Sequence, residues 1–178
     1  MSKKVLILSG SPRKAGNSDV LCDQLLKGAR ESGHQVEKVR VVEKRIGYCT
    51  GCGVCQGTGT CVLKDDMDGV LKTMVAADVI ALATPVYFYT MCAQLKTVID
   101  RTVARYTEVT GKEFYFILTA ADGRRENLTR TVEEFRGFLD CLDGSKEMGV
   151  VYGVGAWGIG DIQGNPAMKQ AYEMGKSL

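Results

Sequence analysis

The sequence predicts a three-layer α/β sandwich in which helices cover both faces of a five-stranded parallel sheet. Strand-like apolar runs alternate with helix-like segments along the 178 residues, and this alternation is typical of right-handed crossovers between parallel strands. The run at residues 79–83 is apolar throughout, as expected of a strand that is covered on both faces. No antiparallel hairpin is indicated, so the expected strand order is 2-1-3-4-5.

Each element follows from a local pattern. The first strand, at residues 4–8, ends at a Gly-Ser-Pro turn, and Asn17 and Ser18 can cap a helix that stops near Gly33. A weaker strand follows at 36–41, and a short helix is expected from about 65 to 75. The remaining elements are helices at about 91–105, 126–142 and 166–176 and strands at 114–118 and 148–152. We expect one domain over residues 1–178, with a cysteine-rich insertion at about 47–64.

Composition excludes several classes of protein. The net charge is only +2, and no basic block of the kind seen in nucleic-acid readers is present. No apolar stretch approaches the roughly 20 residues of a membrane helix. Seven cysteines, an odd number, with four in one short loop, argue against a secreted disulfide framework and for metal or redox chemistry. We therefore expect a cytoplasmic protein that binds neither nucleic acid nor a membrane.

The loop after the first strand, residues 9–18, has the chemistry of a phosphomonoester site. Small residues let backbone N–H groups surround phosphate oxygens, the helix N-terminus adds a positive dipole end, and an arginine adds a charged fork. The candidate contacts are Ser9, Ser11, Arg13, Asn17 and Ser18. The alternative is a polar loop whose Asn17 or Ser18 only caps the helix. A Walker A ending is absent, and the G-x-G-x-x-G match at 153–158 comes too late in the chain for a dinucleotide fold.

A second loop on the same sheet edge follows the third strand. Its proline turn and its aromatic residues could form the apolar wall that a flat isoalloxazine ring needs. Alternatively, these aromatics serve in ordinary packing or at an interface. The loop after the fourth strand lies on the same edge, and Ala120 and Gly123 are weaker candidates for the other side of the ring.

The most specific pattern is C-x-x-C-x-x-C followed by a fourth cysteine. Cys49, Cys52 and Cys55 have the spacing that wraps one corner of a [4Fe–4S] cubane, and Cys61 would be the fourth ligand. A zinc site, a reversible disulfide and a loop of reduced thiols remain alternatives. The other cysteines, Cys22, Cys92 and Cys141, are expected to be buried apolar residues.

These motifs together resemble a known family. Three motifs resemble those of the flavodoxin-like NAD(P)H-dependent FMN reductases. They are the run Gly10-Ser11-Pro12-Arg13, the pair Pro85 and Tyr87, and the later pairs Leu95-Lys96 and Asp100-Arg101. The cysteine spacing after strand 2 resembles the iron–sulfur flavoprotein branch. The resemblance implies a flavodoxin-like fold and FMN, with ring contacts from Pro85, Val86, Tyr87 and Phe88. It also implies that Asp100 and Arg101 are structural rather than part of the site.

The expected function is FMN-dependent electron transfer from NAD(P)H or ferredoxin to a small-molecule acceptor. No catalytic side chain is expected, because the flavin carries the chemistry. The alternatives are a cluster-free NAD(P)H:FMN or quinone reductase and a flavin electron carrier that is not an enzyme. The resemblance implies a homodimer or homotetramer.

Overall fold

The computed structural model describes residues 1–178 as an α/β sandwich. Its strands are β1 (Lys4–Ser9), β2 (Gln35–Arg40), β3 (Val79–Tyr87), β4 (Thr90–Met91), β5 (Glu113–Thr119) and β6 (Lys146–Gly153). Its α-helices are α1 (Asn17–Glu31), α2 (Val54–Thr58), α3 (Met67–Ala76), α4 (Ala93–Arg101), α5 (Thr129–Leu139) and α6 (Pro166–Lys176). The parallel strands run in the order β2-β1-β3-β5-β6. The flavodoxin-like order is thereby confirmed, since these five are the predicted strands.

Two apolar clusters lie on the two faces of the sheet. Alternate residues of β1 divide between them: Leu6 and Leu8 join the larger cluster, and Val5 and Ile7 join the smaller one. The larger cluster includes residues of α3, α4 and α5, and the smaller includes residues of α1 and α6. This arrangement leaves the carboxyl ends of the parallel strands at one edge, where their loops meet.

The expectation of no antiparallel hairpin was wrong. Strand β4 pairs antiparallel with the end of β3, through Val86 with Met91 and Tyr87 with Thr90. The two residues of the turn, Phe88 and Tyr89, have φ of 50° and 62°. Such a turn is ordinarily marked by Asn-Gly or Asp-Gly, so the aromatic pair gave no hairpin signal.

Two predicted helices are shorter than expected. The helix predicted at 91–105 ends at Arg101 and is followed by 3-10 turns at Thr102–Ala104 and Tyr106–Glu108. The helix predicted at 126–142 begins at Thr129, after a 3-10 turn at Arg125–Leu128, and ends at Leu139. Cys141, just after that helix, is exposed, contrary to expectation, and continues the exposed face that includes Gly137; Cys22 and Cys92 are buried. None of the helices combines the length and the apolar composition that crossing a bilayer requires.

Candidate functional site

A cavity of about 110 Å³ opens at the carboxyl ends of β1, β3 and β5; we call it the sheet-edge cavity. Seven predicted site residues line it: Ser11, Arg13, Asn17, Pro85, Val86, Tyr87 and Ala120. Five further lining residues were not predicted: Gly16, Thr119, Ala121, Ala156 and Trp157. The structure therefore brings the first loop, the proline turn and the loop after β5 together around one space.

The loop between β1 and α1 is held close to the sheet by its backbone. The N–H of Gly10 donates to the carbonyl of Ala83 at 2.8 Å, and a side chain at Gly10 would meet the Cys92 sulfur at 2.8 Å. No side chain caps the start of α1, so its first N–H groups stay available to an anion. The buried hydroxyl of Ser18 also has no hydrogen-bond partner.

The segment after β6, residues 154–164, lies against this loop. Arg13 Nη1 donates to the carbonyl of Trp157 at 2.8 Å, and Asn17 Nδ2 donates to that of Gly158 at 2.8 Å. The carboxylate of Asp161 accepts from the N–H groups of Trp157 and Gly158, at 3.0 Å and 2.6 Å. Because a guanidinium carries five N–H donors, this contact leaves Arg13 donors for a ligand.

Four predicted residues do not line the cavity. Ser9 is fully buried, and its hydroxyl donates to Asp19 Oδ1 at 2.7 Å, so this side chain links the end of β1 to the first turn of α1. Ser18 is buried at the start of α1, whereas Phe88 and Gly123 are exposed. Direct contact of these four with a cofactor stays a prediction.

Two of the residues that line the sheet-edge cavity, Tyr87 and Trp157, are exposed aromatic residues, and Phe88 follows Tyr87 in the chain. Phe88 is 99% exposed, Trp157 is 75% exposed and Tyr87 is 40% exposed. Clustered exposed apolar side chains indicate a binding surface. Trp157 was not predicted to lie here, although it is the chain's one tryptophan and stands in a glycine-rich loop after the last strand, which was a usable signal.

The four cysteines of the motif surround a second cavity, of about 90 Å³, which we call the cysteine cavity. It belongs to the cysteine segment, residues 47–65. Cys55 is buried, Cys61 is half-buried, and Cys49 and Cys52 are exposed. No three His, Cys, Asp or Glu side chains are close enough together to hold a metal ion. The structure thus gathers the four predicted ligands around one space, without bringing three of them together at a single metal ion.

The backbone of the cysteine segment suits sulfur ligation. Gly51, Gly53 and Gly59 have φ between 65° and 72°, a region that favours glycine. The N–H of Gly51 donates to the Cys49 sulfur at 3.4 Å. The pKa of Cys52 lies below its usual value, first because of hydrogen bonding from the backbone of Val54 and then because of the Thr50 side chain. A lowered pKa favours the thiolate, which is the form that binds metals.

Arg101, at the end of α4, lines the cysteine cavity. The family resemblance implied only a structural role for this residue. Arg101 is only 2% exposed and lines the cavity with Cys61. Its guanidinium donates to both oxygens of Asp65, at 2.7 Å and 3.0 Å. The pKa of Arg101 lies above its usual value, first because of the hydrogen bonds to Asp65 and then because of the charges of Asp65 and Cys61.

The sequence matches one protein family over most of its length. The family model described as NADPH-dependent FMN reductase matches residues 3–156. An iron–sulfur flavoprotein of Archaeoglobus fulgidus is 36% identical over 181 residues, which cover 98% of this chain and 78% of that protein. An iron–sulfur flavoprotein of Methanocaldococcus jannaschii is 42% identical over 98 residues, covering 55% of this chain and 51% of that protein.

Solved structures show the same fold at low sequence identity. An NAD(P)H:quinone oxidoreductase from Methanothermobacter marburgensis has a TM-score of 0.76 at 18% identity, covering 100% of this chain and 98% of that chain. An FMN-dependent NADH-azoreductase from Bacillus anthracis, in complex with FMN, has a TM-score of 0.75 at 16% identity, covering 98% of this chain and 99% of that one.

Proposed function

Because the chain belongs to the NADPH-dependent FMN reductase family and is an oxidoreductase, we propose that it binds FMN in the sheet-edge cavity and a [4Fe–4S] cluster in the cysteine cavity. Electrons pass from NAD(P)H or ferredoxin to a small acceptor. The single observation that carries the FMN site is the convergence of seven predicted residues on one cavity beside an uncapped helix start.

The residues of the first loop suit the phosphate of FMN. Ser11, Arg13 and Asn17 would hold its oxygens together with the free N–H groups at the start of α1. The unpartnered hydroxyl of Ser18, at the start of α1, also fits a site that holds an anion. These groups anchor the cofactor and carry no step of the reaction.

The other side of the cavity suits the ring. Pro85, Val86 and Tyr87 would form one wall, and Trp157 would cover the ring from the segment after β6. Bound FMN supplies hydride acceptance and electron release, singly or in pairs. The protein's part is to orient the ring, to exclude water from it and to leave one face open to substrate.

The donor set of the cysteine segment fits an iron–sulfur cluster. Four thiols on one cavity, glycines that free backbone N–H groups, and a buried arginine are groups that hold and tune such clusters. The relatives named iron–sulfur flavoproteins support this assignment. The chain spans 78% of the first of these relatives but about half of the second.

A cluster-free reductase is the second candidate. It is favoured by the exposure of Cys49 and Cys52, which leaves these thiols free to stay reduced or to form a disulfide. In that case FMN alone carries the electrons. A zinc site would need its ligands close to one ion, and no three of these side chains are.

The setting of the reaction is part of the same proposal. All seven cysteines are free, which suits the reducing cytoplasm. The exposed aromatics Tyr87, Phe88 and Trp157 suit contacts between copies of the chain, and we propose a homodimer or homotetramer.

Anaerobic steady-state kinetics test the enzymatic assignment. FMN-loaded protein should oxidise NADPH or NADH with a quinone as acceptor, and it should also reduce the quinone with reduced ferredoxin as donor. Protein without FMN should do neither. FMN-loaded protein that turns over with none of these donors would instead be an electron carrier.

A further inference from the structure

A buried guanidinium joins the two ends of the cysteine segment. Arg101 Nη1 donates to the carbonyl of Gly47 at 2.5 Å, and both terminal nitrogens donate to the Asp65 carboxylate. Asp65 also accepts from the N–H of Gly47 at 3.0 Å. Since Gly47 precedes Cys49 and Asp65 follows Cys61, these bonds close the segment that carries all four cysteines.

One N–H group of the Arg101 guanidinium makes no hydrogen bond. The Arg101 Nε is buried and has no hydrogen-bond partner, although a buried charged donor without an acceptor is costly. Arg101 and Cys61 both line the cysteine cavity. A sulfur in this cavity would satisfy the unused N–H.

The positive charge lies on the cavity side of the ion pair. Arg101 lines the cysteine cavity, whereas Asp65 does not. A cluster in this cavity would therefore lie nearer to the guanidinium than to the carboxylate. Because reduction adds one negative charge to a cluster, a nearby buried cation stabilises the reduced form.

We propose that Arg101 is a positioning residue for the cluster, closing the cysteine segment through Asp65 and Gly47 and donating an N–H to a sulfur at Cys61. It thereby raises the reduction potential of the cluster. This inference rests on the proposed function, because it requires the cluster to be present. It assigns a role at the cofactor to a residue that the family resemblance marked only as structural.

The test compares three charge variants after anaerobic cluster reconstitution. Arg101→Gln removes the cation, and Asp65→Asn removes its counter-charge while keeping an oxygen that accepts hydrogen bonds. Arg105→Gln is the matched control, because Arg105 lies outside the cysteine cavity and pairs with Glu108. Iron content and the cluster midpoint potential are measured, the latter by redox titration followed by low-temperature electron paramagnetic resonance.

We expect opposite shifts from the two test variants. Arg101→Gln should lower the equilibrium constant for cluster reduction at least about tenfold, which for one electron is about 59 mV, and it should also lower iron content. Asp65→Asn should shift the potential upward, and Arg105→Gln should shift it less than either. A merely structural residue would change iron content in both variants without opposite shifts in potential.

Other outcomes overturn the inference. Potentials of Arg101→Gln and Asp65→Asn that stay within the shift of the Arg105→Gln control, or that move in the same direction, contradict it. If Arg101→Gln fails to fold or to hold iron, Asp65→Asn decides alone, and an unchanged or lower potential is the contradicting result. Wild-type protein that takes up FMN but no cluster would overturn the proposed cluster itself, which distinguishes that failure from this one.

Discussion

The sheet-edge cavity and the cysteine cavity are built in different ways. The first is formed by loops that leave the ends of paired strands; Pro85 and Thr119, for example, are partners in the β3–β5 ladder. The cysteine cavity is formed by an excursion with one five-residue helix, α2, and several left-handed glycines. Hydrogen bonds from Arg101 to Gly47 and Asp65 join the two ends of this excursion. The two cavities share no lining residue, so each should be changeable without the other.

The largest expected effect is the loss of one cofactor alone. Cys52→Ser should abolish the broad cluster absorption of anaerobic protein while FMN stays bound, because Cys52 lines only the cysteine cavity. Cys141→Ser is the control, since Cys141 is exposed and lies outside the motif. Loss of FMN in Cys52→Ser would show that the two sites depend on each other.

A change in the sheet-edge cavity should weaken FMN binding and leave the cysteine cavity unaffected. Arg13→Ala should weaken FMN on the order of tenfold or more, since charge-assisted hydrogen bonds contribute about 1.5–3 kcal/mol. Binding of riboflavin, which lacks the phosphate, should hardly change. Titration of apoprotein with both ligands decides the matter, with Lys14→Ala as the control for an exposed charge in the same loop. Equal losses for both ligands would contradict the phosphate assignment.

A smaller effect is expected in the turn between β3 and β4. Phe88 is 99% exposed with φ of 50°, a conformation that costs a residue with a Cβ atom about 1 kcal/mol. Phe88→Gly should therefore be more stable than Phe88→Ala by about 1 kcal/mol, or roughly 2–4 °C in Tm. Both variants lose the same aromatic side chain, so equal Tm values would mean that the turn is not strained.

The smallest expected effect is on stability at acid pH, where Asp65 loses the charge that pairs with Arg101. Burial opposes ionisation of Asp65, but hydrogen bonds from Arg101, Gly47 and Met67 outweigh it, and the pKa of Asp65 lies below its usual value of 3.8. Its contribution to stability is therefore complete above pH 3.8 and is lost as the pH falls through the lowered pKa. The Tm of Asp65→Asn should fall less steeply with acid than that of wild type, as calorimetry over a pH series would show. Parallel curves would contradict this role.

The two regions also differed in what the sequence could reveal. Periodicity and turn residues identified all five parallel strands, and the loop chemistry identified most of the sheet-edge cavity. The hairpin at Phe88 and Tyr89 could not be predicted, because its left-handed turn is imposed by tertiary contacts such as the bond from Thr131 to the Tyr89 carbonyl. The place of Arg101 beside the cysteine cavity could not be predicted for a similar reason: its contacts with Asp65 and Gly47 span 36 and 54 positions of the chain.

A cofactor count shows whether one chain holds both FMN and a [4Fe–4S] cluster, as proposed. Protein purified anaerobically, or reconstituted with iron and sulfide, should contain about four irons and four acid-labile sulfides per chain, together with one FMN. Aerobic preparation is unsuitable, because exposed thiols such as Cys49 and Cys52 oxidise when a cluster is lost. One FMN per chain with neither iron nor sulfide would contradict the account and would leave a cluster-free flavin reductase.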